Sequence, residues 1–201
     1  IIRQTNDLRR IVDEFSKFAR MPEPERREED LVKLVRDAVV LQQTGQPDVT
    51  ISADYPDTPL WADLDATMIG QALTNLIKNA GEAIESLTRK GHDGPLDPQI
   101  HVAVRQIETG GYEVTIADNG IGLPEDRARL FEPYVTTRNE GTGLGLPIVK
   151  KIIEEHGGAL SLEDAPTFEG HHHCGAKAVI RLPASAGAAQ AMRNTVKAGL
   201  T

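Results

Sequence analysis

The segment from Asp118 to Val149 constrains the fold and function of this 201-residue chain more than any other stretch. It places one carboxylate beside two glycines, continues with a long polar stretch, and ends where Gly141, Gly143 and Gly145 open an apolar helix. Glycine allows backbone to approach a ligand closely, and the N–H groups at a helix start can bind phosphate. The carboxylate can accept a hydrogen bond from the amino group of a base. The segment therefore predicts a nucleotide site.

The polar stretch from Asn119 to Gly141 is too long for a simple connection, and loops of this length are commonly functional. We interpret it as a mobile lid that becomes ordered over the nucleotide. Within it, Glu125 to Leu130 is predicted to form a short helix, and the lone aromatic Phe131 would pin the lid to the rest of the domain.

Two asparagines lie on a long helix that precedes this segment. The helical pattern begins near Asp63 or Asp65, either of which can cap it, and runs to about Leu87. Asn75 and Asn79 fall together on one edge of its buried stripe, one turn apart. Buried amides are costly unless they are hydrogen-bonded, so both could bond to neighbouring backbone. Equally, their oxygens could face a cavity and hold a metal ion or ordered water around a phosphate ligand.

The other periodic segments mix helices with strands. Helices are predicted over Leu31 to Gly45 and Leu144 to His156, and strands over Val49 to Ala53, Gln99 to Ile107, Tyr112 to Ala117, Ala159 to Glu163 and Ala176 to Leu182. Hairpin signals, rather than repeated β-α-β units, connect these strands. The pattern favours an α+β two-layer sandwich with the helices on one face of a sheet.

The N-terminal residues, Ile1 to Arg20, place apolar side chains along one seam of a helix that ends near Pro22. This helix could pack on its own globular domain, but a seam that begins abruptly favours a helix from a bundle or coiled coil. A charged linker is predicted from Glu25 to Asp30, and a frayed tail or short helix from Ala184 onward. We therefore divide the chain into a partial bundle helix (1–24), a globular domain (25–183) and a tail (184–201).

Charge and composition exclude several functions. The net charge of −8 argues against a nucleic-acid-binding surface, and no apolar run approaches the roughly 20 residues that span a bilayer. Without a signal-peptide pattern, the chain is expected to be cytoplasmic. The only cysteine, Cys174, cannot form an intramolecular disulfide and is interpreted as structural or incidental.

We interpret the histidines at 156 and 171–173 without a metal ion. His171, His172 and His173 cannot all point at one ion from a regular element, so they are predicted to lie in a solvated loop. His156 precedes two glycines at a helix end, where the helix dipole favours a cation.

Four motifs in order resemble those of the sensor histidine kinases. They are N-L-I-K-N-A at 75–80 (the N box), D-N-G-I-G at 118–122 (G1), F-E-P-Y-V-T-T-R at 131–138 (the F box) and G-T-G-L-G-L-P-I-V at 141–149 (G2). The resemblance covers residues 31–183. The preceding D-L-R-R-I-V-D-E-F-S-K-F-A-R-M-P is similar to the second helix of the dimerisation and phosphotransfer bundle, in particular in the NtrY and NtrB branch of nitrogen-regulation kinases.

This resemblance implies an ATP-binding catalytic domain with the Bergerat fold and Mg²⁺ as a cofactor. It implies that Asp118 reads the adenine amino group and that Asn79, helped by Asn75, coordinates the Mg²⁺ that bridges the phosphates. Lys78 could reach a phosphate or could be a solvated helical lysine. The implied nucleotide-binding residues are Asn75, Lys78, Asn79, Asp118, Gly120, Gly122, Thr136, Thr137, Arg138, Gly141, Thr142, Gly143, Leu144, Gly145 and Leu146.

The implied reaction is phosphoryl transfer to a histidine imidazole by positioning and charge neutralisation. No histidine precedes Leu31, and the nearest one, His92, lies in a predicted loop. We therefore expect this chain to bind ATP without phosphorylating itself. Its expected partners are a dimerisation helix of the same or a second kinase subunit and, through the full-length kinase, a cognate response regulator. The full-length kinase would be anchored in the bacterial inner membrane.

Two other functions stay open at this stage. The same nucleotide fold serves ATPases related to gyrase, the large heat-shock chaperones and MutL, in which the resemblance implies a glutamate one turn before the metal-binding asparagine. Asn75 occupies that position here, and an amide cannot accept the proton of an attacking water. The second alternative is a non-catalytic nucleotide-binding or partner-binding module whose N-terminal helix is the working part.

Overall fold

The computed structural model describes residues 21–89, 97–108, 110–135, 142–168 and 174–190. The predicted N-terminal bundle helix and the three consecutive histidines lie outside these ranges. In chain order the elements are β1 (Arg27–Asp30), α1 (Leu31–Gly45), β2 (Thr50–Asp54), β3 (Trp61–Leu64), α2 (Ala66–Arg89), β4 (Gln99–Gln106), β5 (Tyr112–Asp118), a 3₁₀ turn (Ala128–Phe131), α3 (Gly145–Glu155), β6 (Ala159–Asp164) and β7 (Ala176–Leu182).

The main sheet has five strands in the order β2-β4-β5-β7-β6. The β2–β4 pair is parallel, and the other three pairs are antiparallel. The helices α1, α2 and α3 pack on one face of this sheet, with α2 between the other two, and one hydrophobic core fills the space between the layers. The predicted two-layer α+β sandwich is confirmed.

The linker predicted from Glu25 to Asp30 is partly wrong. Its last four residues form β1, which pairs antiparallel with β3 in a separate two-stranded sheet. Neither strand was predicted, because each is only four residues long and the R-E-E-D sequence of β1 has no apolar alternation. Asp30 then caps α1, since its Oδ1 accepts hydrogen bonds from the N–H groups of Val32 (3.0 Å) and Leu60 (3.1 Å).

The period of two along β5 places Asp118 on the side of the sheet that faces the helices. Val114 and Ile116 are buried in the core between the layers, and Asp118 follows them with the same spacing. Because β5 is paired on both edges, by β4 and β7, its end is held from two sides. The fold thus brings a carboxylate to the layer where the helices lie.

On the opposite face, Glu113 lies directly between Arg105 on β4 and Arg181 on β7. Glu113 is 3% exposed, and its oxygens accept bonds from Arg105 Nε (2.9 Å) and Arg181 Nε (3.0 Å). Burial raises the pKa of Glu113, but the bonds and charges of both arginines outweigh burial and lower it. A surface concavity of about 570 Å³ beside this cluster lies at the hairpin end of the sheet, opposite the end that carries Asp118.

The start of α2 is capped by Asp65, not by Asp63. Asp65 Oδ1 accepts hydrogen bonds from the N–H groups of Thr67 and Met68, both at 3.0 Å. Asp65 Oδ2 accepts a further bond, of 3.0 Å, from the N–H of Glu25. One carboxylate therefore closes the helix start and also holds the segment that leads into β1.

The end of α3 is closed by its two following glycines. The N–H of Gly157 donates to Glu154 O and that of Gly158 to Ile153 O, both at 2.9 Å, and Gly157 has φ of +71°. This is the Schellman pattern, in which a left-handed glycine ends the helix. The preceding His156 is only 1% exposed and accepts a bond at Nε2 from the N–H of Asp65, so the interpretation of His156 as a dipole-stabilised cation is wrong.

The tail begins with a helical turn at 186–190. Ser185 is 2% exposed, and its hydroxyl donates to Glu28 on β1 (2.8 Å) and accepts from the N–H of Ala188 (3.3 Å). The start of the tail therefore packs against the two-stranded sheet.

The charge on Asp65 should make folding stability depend on pH. Partial burial raises the pKa of Asp65, but bonds from the N–H groups of Met68, Glu25 and Thr67 outweigh burial, and the pKa is lowered. A carboxyl group whose pKa is lower in the folded state stabilises the fold above its unfolded pKa of about 3.9, and this contribution is lost as pH falls through the folded pKa.

Asp65→Asn retains an acceptor oxygen for the cap but removes the charge. We expect urea unfolding to give this variant a lower free energy of unfolding at neutral pH, by about 1 kcal/mol. The difference from the parent should shrink as pH falls below the unfolded pKa, and it should disappear below the folded pKa of Asp65, where both side chains are neutral in either state. Asp63→Asn, at an exposed position on β3, is the control and should follow the parent at every pH. A deficit in Asp65→Asn that persists unchanged into acid would contradict this assignment.

Candidate nucleotide site

Asp118 ends β5 and is 4% exposed. Its Oδ1 accepts hydrogen bonds from the N–H of Gly120 (2.9 Å) and of Ala176 (3.3 Å). The bond from Gly120 closes a local Asx turn. The bond from Ala176 connects the carboxylate to the start of β7. The orientation of the carboxylate is therefore set by backbone on two sides.

The next residue, Asn119, is fully buried. Its Oδ1 accepts from the N–H of Gln99 (2.9 Å), and its Nδ2 donates to the carbonyl of Asp97 (2.7 Å). Asn119 therefore locks the end of β5 to the start of β4. Asn119 had no predicted role; its position just after a strand end is a signal for backbone bonding, but the partner comes from a distant part of the chain.

Gly120 brings the loop after β5 onto α2. A Cβ at this position would lie 2.6 Å from the backbone carbonyl carbon of Ala83 and from the nitrogen of Ile84, which is too close for any side chain. The N–H of Ile121 also donates to the carbonyl of Ala83 (3.2 Å). Packing against α2 is thus sufficient reason for glycine at 120, and the implied role of Gly120 in nucleotide binding stays a prediction.

Two further glycines near Asp118 allow backbone segments to approach each other closely. Gly122 has φ of +76°, and a Cβ there would lie 2.9 Å from the carbonyl oxygen of Cys174. A Cβ at Gly175 would lie 1.8 Å from the carbonyl oxygen of Asp118. Gly175 had no predicted role, although an isolated glycine just before a strand is a signal for close backbone approach.

The predicted residues of α2 occupy one side of that helix. Asn75 and Asn79 are both half-buried, whereas Lys78 is exposed and its Nζ lies 3.7 Å from Glu82 Oε1. The Nδ2 atom of Asn79 lies 3.9 Å from the position that a Cβ on Gly145 would take. The middle of α2 therefore meets the beginning of α3.

The start of α3 follows a tight turn. Gly143 has φ of +69°, and a Cβ there would lie 2.6 Å from the backbone carbon of Tyr134; the N–H of Tyr134 donates to Gly143 O (3.1 Å). Leu144, the residue that caps α3, is fully buried and provides no side-chain cap, while the N–H of Leu144 reaches Thr142 Oγ1 at 3.5 Å. Leu146 packs partly against the core.

In the described part of the predicted lid, residues 119–135, the side chains of Arg127 and Phe131 contact the rest of the domain. Arg127 donates to both oxygens of Asp164 on β6, at 2.8 and 2.6 Å. The Nζ of Lys150 on α3 lies 5.2 Å from the centre of the Phe131 ring, which confirms that Phe131 pins this segment to the body. The described part of the predicted lid is therefore attached to both β6 and α3.

The short helix predicted over Glu125 to Leu130 has the wrong bounds, since a 3₁₀ helix forms at Ala128–Phe131. The predicted site residues Thr136, Thr137, Arg138 and Gly141 lie outside the described residues and stay predictions.

Along α2, the contacts with the other two parts of the site are one turn apart. Asn79 faces the start of α3, and Ala83, four residues later, receives the loop that follows Asp118. Four residues advance a helix by about 6 Å. The end of β5, the middle of α2 and the start of α3 therefore converge, although they are far apart in sequence.

Comparison with known proteins identifies the class. Residues 64–186 match the family described as histidine kinase-, DNA gyrase B-, and HSP90-like ATPases. The chain therefore belongs to this ATPase family, and the match covers all three converging parts of the site.

Individual relatives narrow the class. The chain is 47% identical over 171 residues to the nitrogen regulation protein NtrY of Azorhizobium caulinodans, covering 85% of this chain and 22% of that protein. The mycobacterial sensor histidine kinase MprB superposes with a TM-score of 0.66 at 26% identity, covering 79% of this chain and 97% of that structure. The structure of full-length ShkA in complex with AMPPNP superposes with a TM-score of 0.68 at 25% identity. This match covers 90% of this chain and 37% of the ShkA chain.

These similarities identify the globular part of the chain as the ATP-binding catalytic domain of a sensor histidine kinase, as the four motifs predicted. The chain spans about a fifth of the length of NtrY. In the described ranges, no helix is long and apolar enough to cross a membrane.

Alanine substitutions of two glycines in the site should differ in their effect on stability. Gly120→Ala should lower the free energy of unfolding by about 2 kcal/mol or more, because its Cβ would overlap the backbone of α2. Gly145→Ala should change stability by less than about 0.5 kcal/mol, since its Cβ would meet only Asn79 Nδ2, at an ordinary contact distance. Urea unfolding of both variants measures the contrast; equal losses of stability would disprove it.

Proposed function

We propose that this domain binds Mg-ATP and positions the γ-phosphate for transfer to a histidine on a dimerisation helix, within a two-component kinase of the nitrogen-regulation type. The observation that carries the proposal is the convergence on α2: Asn79 lies beside Gly145 at the start of α3, and the loop that follows Asp118 packs against Ala83, one turn further along α2. These three parts offer a carboxylate, an amide and a helix N-terminus, which suit a base, a metal ion and phosphate respectively.

Asp118 is the proposed reader of the adenine amino group. A nearly buried carboxylate forms a stronger hydrogen bond than an exposed one, because little water competes for it. Two backbone N–H groups fix its orientation, so little conformational freedom is lost when the base binds.

Gly145 and Asn79 are proposed to lie at the phosphates. Packing does not require glycine at 145, whereas a ligand that approaches the helix start closely does. Asn79 would supply an amide oxygen to Mg²⁺, with Asn75 one turn earlier as its helper, and the phosphates would provide further oxygens. Bound Mg²⁺ would neutralise charge on the phosphates during transfer. Within the described ranges, no group of three or more His, Cys, Asp or Glu side chains could hold a metal ion, which is compatible with amide and phosphate ligands.

The rest of the kinase is part of the same proposal. Residues 1–24 would belong to the dimerisation and phosphotransfer bundle, residues 25–183 would form the catalytic domain, and the tail would follow from 184. The histidine that accepts the phosphoryl group would lie on a dimerisation helix of the same or a second subunit, and a response regulator would receive the group from it. The names of the relatives, which include a nitrogen regulation protein and a sensor histidine kinase, support this wider context.

Calorimetric titration with Mg-ATP tests the binding site. Asp118→Asn should weaken binding about 10- to 100-fold, because it removes a charge-assisted hydrogen bond to the base. Gly145→Ala should also weaken binding, since its Cβ projects at the proposed phosphate position, while its stability stays near that of the parent.

Asp48→Asn, an exposed carboxylate in the turn between α1 and β2, is the matched control and should bind like the parent. The amide introduced by Asp118→Asn would retain an oxygen for the N–H groups of Gly120 and Ala176, so thermal unfolding should confirm that this variant remains folded. Absence of Mg-ATP binding by the parent would defeat the proposal and favour a partner-binding module.

Incubation with γ-labelled ATP tests the reaction. The chain alone should acquire no acid-labile phosphate, since it carries no histidine before Leu31, and its steady ATP hydrolysis should be slow, since Asn75 cannot act as a base. Acid-labile label on the chain would contradict the first expectation. Turnover near the typical enzymatic value of about 10 s⁻¹, lost in Asn75→Ala, would favour a gyrase-type ATPase.

A further inference from the structure

His156 is buried at the end of α3, and the proposed phosphoryl transfer does not use it. Its Nε2 accepts a hydrogen bond from the N–H of Asp65 (2.9 Å), so the ring proton lies on Nδ1, which is 2.7 Å from the carbonyl oxygen of Ile152. Both ring nitrogens are therefore engaged, and the imidazole is neutral. The ring joins the last turn of α3 to the residue that caps α2.

Asp65 continues this connection to the segment before β1. While its Oδ1 caps α2, its Oδ2 accepts the hydrogen bond from the N–H of Glu25. Glu25 immediately follows residues 1–24, the segment assigned to the bundle helix. Glu25, Asp65 and His156 thus form a hydrogen-bonded relay from this incoming segment to α3.

The relay acts on the helix whose opposite end carries the phosphate site. α3 has 11 residues and is therefore about 16 Å long. Its final carbonyl groups are bonded by Gly157, Gly158 and the His156 ring, which makes the C-terminal end a fixed anchor. A helix held rigidly at one end transmits a displacement of that anchor to its start, where Leu144 and Gly145 lie.

We propose that His156 is a positioning residue, which ties α3 through Asp65 to the incoming segment and so sets the place of the helix start at which phosphate binds. The inference rests on the proposed function, because its consequence concerns ATP: through the relay, movement of the bundle helix would change the affinity for ATP. Packing of Ile148, Val149, Ile152 and Ile153 in the core also restrains α3. The expected coupling is accordingly at the low end of allosteric effects, about fivefold in affinity.

Glu25→Pro tests the relay with a minimal change. Proline lacks the backbone N–H that bonds Asp65, whereas Glu25→Ala keeps this N–H and removes only the exposed side chain. In the full chain, Glu25→Pro should weaken Mg-ATP binding about fivefold relative to Glu25→Ala, and Glu25→Ala should bind like the parent. Equal affinities of the two variants would overturn the proposal.

A conservative pair of substitutions tests His156 itself. Gln places an acceptor near the former Nε2, and Asn keeps only a donor near the former Nδ1, so His156→Gln should retain affinity and His156→Asn should lose about fivefold. The combination of Glu25→Pro with His156→Asn should bind no more weakly than either single variant, because both cut one relay. Additive losses, or equal affinities of the Gln and Asn variants, would mean that His156 is only structural.

A measurement without nucleotide separates the relay from the proposed function. The N–H of Ile148 donates to Leu144 O (3.0 Å) in the first turn of α3. Its hydrogen exchange should be about fivefold faster in Glu25→Pro than in Glu25→Ala. Faster exchange in a protein that fails to bind Mg-ATP would support the relay and defeat the nucleotide function; unchanged exchange would overturn the relay whatever the affinity.

Discussion

The burial of α2 between α1 and α3 is the constraint on which the site depends. Its apolar stripe fills the core over the central strands, and Asn79, on the polar edge of this stripe, lies beside the start of α3. The loop that follows β5 is fixed against the same helix through Gly120. The packing of α2 in the core therefore fixes where the amides lie and how far they are from Asp118.

Much of this architecture was predictable from local pattern. α1 begins and ends at the predicted residues, and the five strands of the main sheet match their predictions within two residues at each end, because each has strong periodicity. β1 and β3 were missed because they are short and stabilise each other across more than 30 residues of chain. The sequence also left Asp63 and Asp65 as equal caps; the structure distinguishes them, because Asp63 lies within β3 and Asp65 accepts the bonds from Thr67 and Met68.

The motifs located the candidate site, but they did not explain why each of its residues is needed there. Gly120 and Gly145 look alike in the sequence, yet one is required by contact with the backbone of α2 and the other has room for a methyl group. Asn119 and Gly175 had no predicted role, although one locks β4 to β5 and the other lets β7 approach Asp118. Their partners are distant in sequence, so these reasons exist only in three dimensions.

The proposed relay would act on one part of the site and leave the other part fixed. Asp118 is fixed by backbone from its own loop and from β7, inside a sheet that is paired on both edges of β5. The start of α3 lies at the margin of the helix layer and follows two residues with left-handed backbone, Tyr134 and Gly143, which contact each other. A base would thus meet a preformed carboxylate, whereas phosphate would meet a helix whose other end is tied to the incoming segment. Control exerted through that segment would alter how the phosphates are held more than how the base is read.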